Sequence, residues 1–198
     1  MQERLPVKIG AMRGPKSFEA AAEFSDGCHP ALSYTREAYD YMIKHCTIGA
    51  ERAGKNVQDL DLGAWIVFSV AQDGAVAKDA ARSMVGLYAS SMPHEQLERN
   101  GVDPAELAPI IEAIGAGDMA KGELATPDLA ERLSVAGTPQ ECAEKMQSQI
   151  AAAGVNHMIL AITDKALVKA LMGREIEGVP DINTQLQLVH DEVMPAFA

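Results

Sequence analysis

The chain is short of cysteine, of positive charge and of long apolar runs, and each shortage removes a class of protein. Its three cysteines, Cys28, Cys46 and Cys142, are far apart and form no CxxC pair, which argues against a disulfide framework and against a tetrahedral zinc site. Reduced thiols and no metal are the expectation. Lysine and arginine number 17 against 28 aspartates and glutamates, a formal net charge of −11, so a broad surface for nucleic-acid phosphate is not expected. No apolar run approaches the ~20 residues that a bilayer helix needs. Glu3, Arg4, Pro6 and Lys8 stand where a signal peptide would carry its apolar stretch. A cytoplasmic chain without membrane or nucleic-acid partners is the expectation. With 16 glycines and 10 prolines among 198 residues, and 47% of residues hydrophobic, the composition is that of a folded chain. Its length points to one domain over 1–198.

The segments alternate between strand-like and helix-like patterns. Leu5 to Met12 reads as a strand that meets Arg13-Gly14-Pro15, with proline at the first helical position. A helix over Lys16 to Ser25 places Phe18, Ala21, Ala22 and Phe24 on one stripe, and Asp26-Gly27 ends it before a second strand, Cys28 to Leu32. Thr35 caps a helix running to about Ala53. Leu62 to Ala71 is continuously apolar and suits a central parallel strand covered on both faces. From Asp73 to Val135 only helical windows occur, with starts at Asp73, Asp103-Pro104 and Thr126-Pro127, so a helical insertion over about 73–135 is expected. Thr138-Pro139-Gln140-Glu141 fits a capping box that opens a helix to Ala153, before a strand His157 to Ile162. A last helix, Asp181 to Met194, carries Leu186, Val189 and Val193 as its stripe. Four strands, each followed by helical material, predict a parallel α/β sheet with right-handed crossovers, half of an eight-stranded barrel.

Two stretches could carry chemistry. Gly10-Ala11-Met12-Arg13-Gly14-Pro15 ends a strand in small residues and opens a helix, which offers N–H groups, a positive dipole end and the Arg13 fork to a phosphate. The same glycines would also serve an ordinary tight βα turn. Cys28 and His29 lie near the end of the next strand, but adjacent strand residues point to opposite faces and cannot act as nucleophile and base. Cys28 is expected to pack, and His29 and Ser33 to line a pocket. Ser69, with Gln72 and Asp73, and Thr163, with Asp164, close the later strands and could line the same mouth, although both aspartates are also good helix caps. The acidic run Asp59 to Asp61 is expected to be a solvated face. No catalytic residue is assigned.

Read in order, PVKIGAMRGPKSFEAAAEFSDG, GAERAGKNVQDLDLGAWIVFSVAQD and VAGTPQECAEKMQSQIAAAGVNHMILAITD resemble the C-terminal half of luciferase-like monooxygenases. The tail GREIEGVPDINTQLQLVHDEVMPAF looks like that of coenzyme F420-dependent methylenetetrahydromethanopterin reductases. The resemblance implies a (β/α)8 TIM-barrel fold, of which this chain is the C-terminal half-barrel. It further implies coenzyme F420, with FMN as the alternative, and hydride transfer to a small-molecule substrate. In the family, the turn matching Gly10 to Pro15 approaches the phosphate-bearing side chain of the cofactor. The family's first four strands have no counterpart, so either the chain is a fragment of a longer enzyme, or a homo-oligomer or a partner supplying the missing half is expected. The alternative function is a non-catalytic binding or assembly module derived from the family.

Overall fold

The computed structural model describes residues 4–11, 14–30, 33–118 and 124–198. Five strands are present among them: β1 (Lys8–Gly10), β2 (Gly27–His29), β3 (Asp61–Val70), β4 (Val135–Gly137) and β5 (His157–Ile162). Every pairing is parallel: β1 with β2, β2 with β3, β3 with β4, and β3 with β5. The four expected strands therefore lie parallel in the expected order. β4, which the sequence reading did not contain, is an addition of three residues.

Three neighbours share the two edges of β3, and its backbone shows how. Successive N–H groups along a strand point to opposite edges. Those of Asp61, Trp65 and Ala71 donate to the carbonyls of Asp26, Pro30 and Gly137, so β2 and β4 occupy one edge in succession. Between them the Val67 N–H donates to the Tyr34 hydroxyl at 3.3 Å. On the other edge, Gly63 to Phe68 pair with His157 to Ile162. The five strands thus fill four positions. β4 escapes a periodicity reading because Val-Ala-Gly is too short to show a period.

The helices are α1 (Pro15–Phe24), α2 (Arg36–Arg52), α3 (Gly74–Ala89), α4 (His94–Arg99), α5 (Ala108–Gly115), α6 (Pro127–Leu133), α7 (Pro139–Lys145), α8 (Lys165–Met172) and α9 (Ile182–Leu188). Side chains of Thr35, Asp73, Thr126, Asp164 and Asp181 accept the N-terminal N–H groups of α2, α3, α6, α8 and α9, and Thr138 with Glu141 forms the capping box of α7. Between β3 and β4 the described residues form helices and no strand. Two helices continue through π turns, Met146–Ile150 after α7 and Val189–Val193 after α9.

Two expected stripes are corrected. Phe24 of α1 is 75% exposed, whereas Glu19 is buried and receives Lys16 and Arg52 at 2.9 and 2.6 Å. These partners hold the Glu19 carboxyl at about 2, the Lys16 hydrogen bond contributing most. On the last helix Leu186 is exposed, and Gln185 is the residue that α9 buries.

α1 and α2 meet backbone to backbone. A Cβ built on Gly49 would stand 1.9 Å from the Glu19 carbonyl oxygen, so only glycine permits this approach. Gly49→Ala is expected to force the helices apart and cost about 1–3 kcal/mol, the range of an overpacked core. A lower urea midpoint at unchanged slope would record it.

Candidate functional site

The end of β1 leads into α1 through the first candidate stretch. Ala11 is buried, and its N–H donates to the His29 carbonyl at 3.0 Å. Met12 and Arg13 lie outside the described residues. Gly14 is extended, at φ 174° and ψ 171°, and caps α1 with Pro15 at its first position. The Gly14 carbonyl accepts the Ser17 hydroxyl at 2.8 Å. A Cβ added to Gly10 or to Gly14 would meet nothing within 4 Å, so this side of the turn is open. The first turn of α1 holds no acidic residue. An open glycine surface at the positive end of a ten-residue helix whose first turn is free of acid fits a phosphate-bearing cofactor chain.

His29 turns to the opposite face from Cys28, as strand alternation requires. The Cys46 thiol of α2 beside it, together with burial, pushes the Cys28 thiol pKa up. Burial pushes the Cys142 thiol up to about 12. Both are packed, protonated thiols, and no group of metal-ligating side chains occurs among the described residues. The His29 ring lies over Gly63, where an added Cβ would come within 2.5 Å of it. It stands edge-on to His157, the ring centroids 5.6 Å apart.

Lys8 and Asp61 complete this group, with Lys8 Nζ 2.5 Å from Asp61 Oδ2 and 3.2 Å from His157 Nδ1. Asp61, expected on a solvated face, keeps 37% of its side chain exposed, with its Oδ1 buried. No second titratable partner for His29 lies nearby in sequence, because the partners come from three other strands. The available signal was glycine at 27 and 63, positions on this face with no side chain to block a contact across strands.

Ser33 is buried in a loop whose next residue, Tyr34, donates its N–H to Asn100 Oδ1 at 2.8 Å. Ser69 and Thr163 do come together, the Ser69 hydroxyl donating to the Thr163 carbonyl at 3.3 Å. Both are fully buried. Sequence reasoning missed the residue that joins them. The Val70 N–H donates to Gln185 Oε1 at 3.0 Å, and Gln185 Nε2 donates to the Thr163 carbonyl at 3.0 Å. This amide from α9 acts as one more rung between β3 and β5. Gln72 bonds Glu192 at 2.9 Å, while Asp73 and Asp164 are caps. An apolar cavity of about 640 Å³ lies along β5, lined by Met146, His157, Met158, Leu160, Val189 and Val193, and includes none of the expected site residues.

Parallel strands joined by helical crossovers, with an open βα turn at a C-terminal strand end, define the barrel class of α/β proteins. The family model described as luciferase-like monooxygenase matches residues 1–157, and the chain belongs to that family. It is 32% identical over 179 residues to the 5,10-methylenetetrahydromethanopterin reductase of Methanolobus tindarius, covering 88% of this chain and 54% of that one. The coenzyme F420-dependent tetrahydromethanopterin reductase structure from Methanopyrus kandleri superposes with a TM-score of 0.82 at 27% identity, covering 98% of this chain and 51% of that chain. An F420-dependent secondary alcohol dehydrogenase in complex with an F420-acetone adduct shares the fold, with a TM-score of 0.69 at 20% identity over 99% of this chain and 50% of the dehydrogenase. The chain spans about half the length of the curated relatives it matches. No helix among the described residues is long and apolar enough to cross a membrane.

Gln185→Leu would leave the Val70 N–H unpaired in the interior and take one of two donors from the Thr163 carbonyl. The expected cost is about 1–3 kcal/mol, read as a lower urea midpoint, with faster amide exchange at Val70.

Proposed function

We propose that this chain supplies the cofactor-phosphate half of a coenzyme F420-dependent oxidoreductase, with hydride transfer of the methylenetetrahydromethanopterin-reducing kind as its reaction. The open turn at the head of α1 carries this reading, supported by similarity to a reductase over 98% of the chain. When bound, the deazaflavin would supply the hydride chemistry, and the protein's work is to hold and orient it. Gly10, Ala11, Gly14 and Pro15 would receive the phosphate-bearing chain against the positive end of α1. Arg13 adds a charge-assisted, bidentate donor. His29, with His157 beside it, is proposed to face the pocket, while Ser69 and Thr163 hold the strand ends that frame it.

A whole pocket needs further strands, whether from a longer chain, a second copy or a partner chain. Among the described residues the outer edges of β1 and β5 are unpaired, and Ile159 is 40% exposed. The same open edges favour a second reading, a binding or assembly module of this family.

Fluorescence titration with coenzyme F420, and separately with FMN, tests the proposal on the wild type, Arg13→Ala and Gly14→Asp. F420 is expected to bind in preference to FMN. Gly14→Asp, which puts a carboxylate in the open space facing an anion, should weaken binding about tenfold or more, and Arg13→Ala by a smaller factor. Added salt should weaken it gently, since backbone donors persist. Equal affinity in all three proteins would remove the turn from the site.

A further inference from the structure

The sheet gathers four titratable side chains on the face away from α2, one from each strand position. Lys8 comes from β1, His29 from β2, Asp61 from β3 and His157 from β5. Lys8 Nζ lies between Asp61 Oδ2 and His157 Nδ1, and His157 Nδ1 is 3.6 Å from Asp61 Oδ1, beyond hydrogen-bond reach. Both ring nitrogens of His29, and Asp61 Oδ1, are buried without a hydrogen-bond partner. One carboxylate therefore faces one ammonium and two imidazoles. A proton taken up by His29 adds positive charge beside the Lys8 ammonium, with Asp61 as the one carboxylate among these four side chains. At His29 the burial of both nitrogens leaves that charge poorly solvated.

We propose that His29 and His157 form a proton-sensitive latch on the edge strand β1, which stays paired with β2 while both rings are neutral and is released when His29 gains a proton in mild acid. β1 is the element least able to resist. It is three residues long, paired on one side among the described residues, and preceded by the exposed Leu5 and Val7. Its Lys8 crosses β2 to reach Asp61, so repulsion from a charged His29 bears directly on one of the contacts that tie β1 to the sheet, beside its pairing with β2 and the Val7–Asp26 hydrogen bonds.

The direction of the pH effect follows from the surroundings of His29. Burial first, then the charges of His157 and Lys8, hold its pKa below the ordinary histidine value, with Asp61 opposing them. The unfolded chain, and likewise an opened strand, therefore takes up this proton more readily than the closed sheet. The stabilisation is present above the ordinary histidine pKa and is lost as pH falls through it toward the lower folded value. Because β1 runs into Gly10 and Ala11, release would also displace the candidate cofactor turn. That consequence rests on the cofactor reading above, whereas the latch does not.

NMR titration of the full chain labelled at histidine Cε1, with amide exchange, between about pH 7.5 and about pH 5.5 tests this without any ligand. His29 should titrate below the ordinary histidine value. After correction for intrinsic pH dependence, amide exchange in β1 should rise several-fold across the range while α3 stays protected. His157→Gln should raise the His29 titration toward the ordinary histidine value, a shift that a merely structural neighbour would not produce. His29→Gln should abolish the acid-induced exchange. The proposal is overturned if His29 titrates at the ordinary histidine value, if His157→Gln leaves it unmoved, or if β1 opens equally in His29→Gln. Circular dichroism checks that the variants fold, and should His29→Gln not fold, the wild-type and His157→Gln titrations decide.

Discussion

The structure is organised around the two hydrogen-bonded edges of β3. This strand runs for ten residues, and its register places β2 and β4 along one edge and β5 along the other. Each neighbour joins at a different height, β2 at the start, β5 along the middle and β4 at the end. The alternating N–H groups that no strand reaches are answered by side chains. Asn156 Oδ1 accepts from Leu62 before β5 begins, Tyr34 from Val67 between β2 and β4, and Gln185 from Val70 above β5. A buried backbone group without a partner costs about as much as a lost hydrogen bond, so these three side chains are part of the sheet.

That arrangement also separates the chemistry of the two faces. One carries Cys28 and the apolar residues packed under α2 and α7, including Ile66 and Phe68. The other carries the polar group of Lys8, His29, Asp61 and His157. Further along that face Trp65 meets Tyr88 of α3 edge-on, the rings 4.8 Å apart, so the helical stretch after β3 reaches back over part of it. The buried polar side-chain atoms without partners among the described residues belong to His29, Asp61 and Thr163, all on this second face. Buried polar groups ordinarily find partners. A face with polar atoms at both ends is therefore one that ligand, water or further polypeptide is suited to cover.

Helix boundaries and strand directions could be read from the chain because they depend on near neighbours. A cap needs one oxygen two or three residues before the N–H it accepts, and Thr35, Asp73, Thr126, Asp164 and Asp181 meet that condition within their own segments. The apolar run from Leu62 has one favourable fate, a strand covered on both sides, and the helices between strands then force parallel pairing. The turn from Gly10 to Pro15 is likewise local. Its openness follows from glycine and from a helix start without acid, both visible in the sequence.

What tertiary structure alone decided depends on residues far apart in the chain. The sequence by itself determined a parallel α/β chain, its capped helices and the placement of Cys28 and His29 on opposite faces. It did not determine that β4 continues the position of β2, because a three-residue strand has no period and is defined by its neighbour. Nor did it determine that Asp61 pairs with Lys8, that Phe24 is exposed while Glu19 is buried, or that Gln185 and not Leu186 faces the interior. Each depends at least in part on contacts made across tens of residues. Burial of Glu19 needs Arg52 from another helix, and burial of Gln185 needs an N–H and a carbonyl that come together only once β3 and β5 have paired.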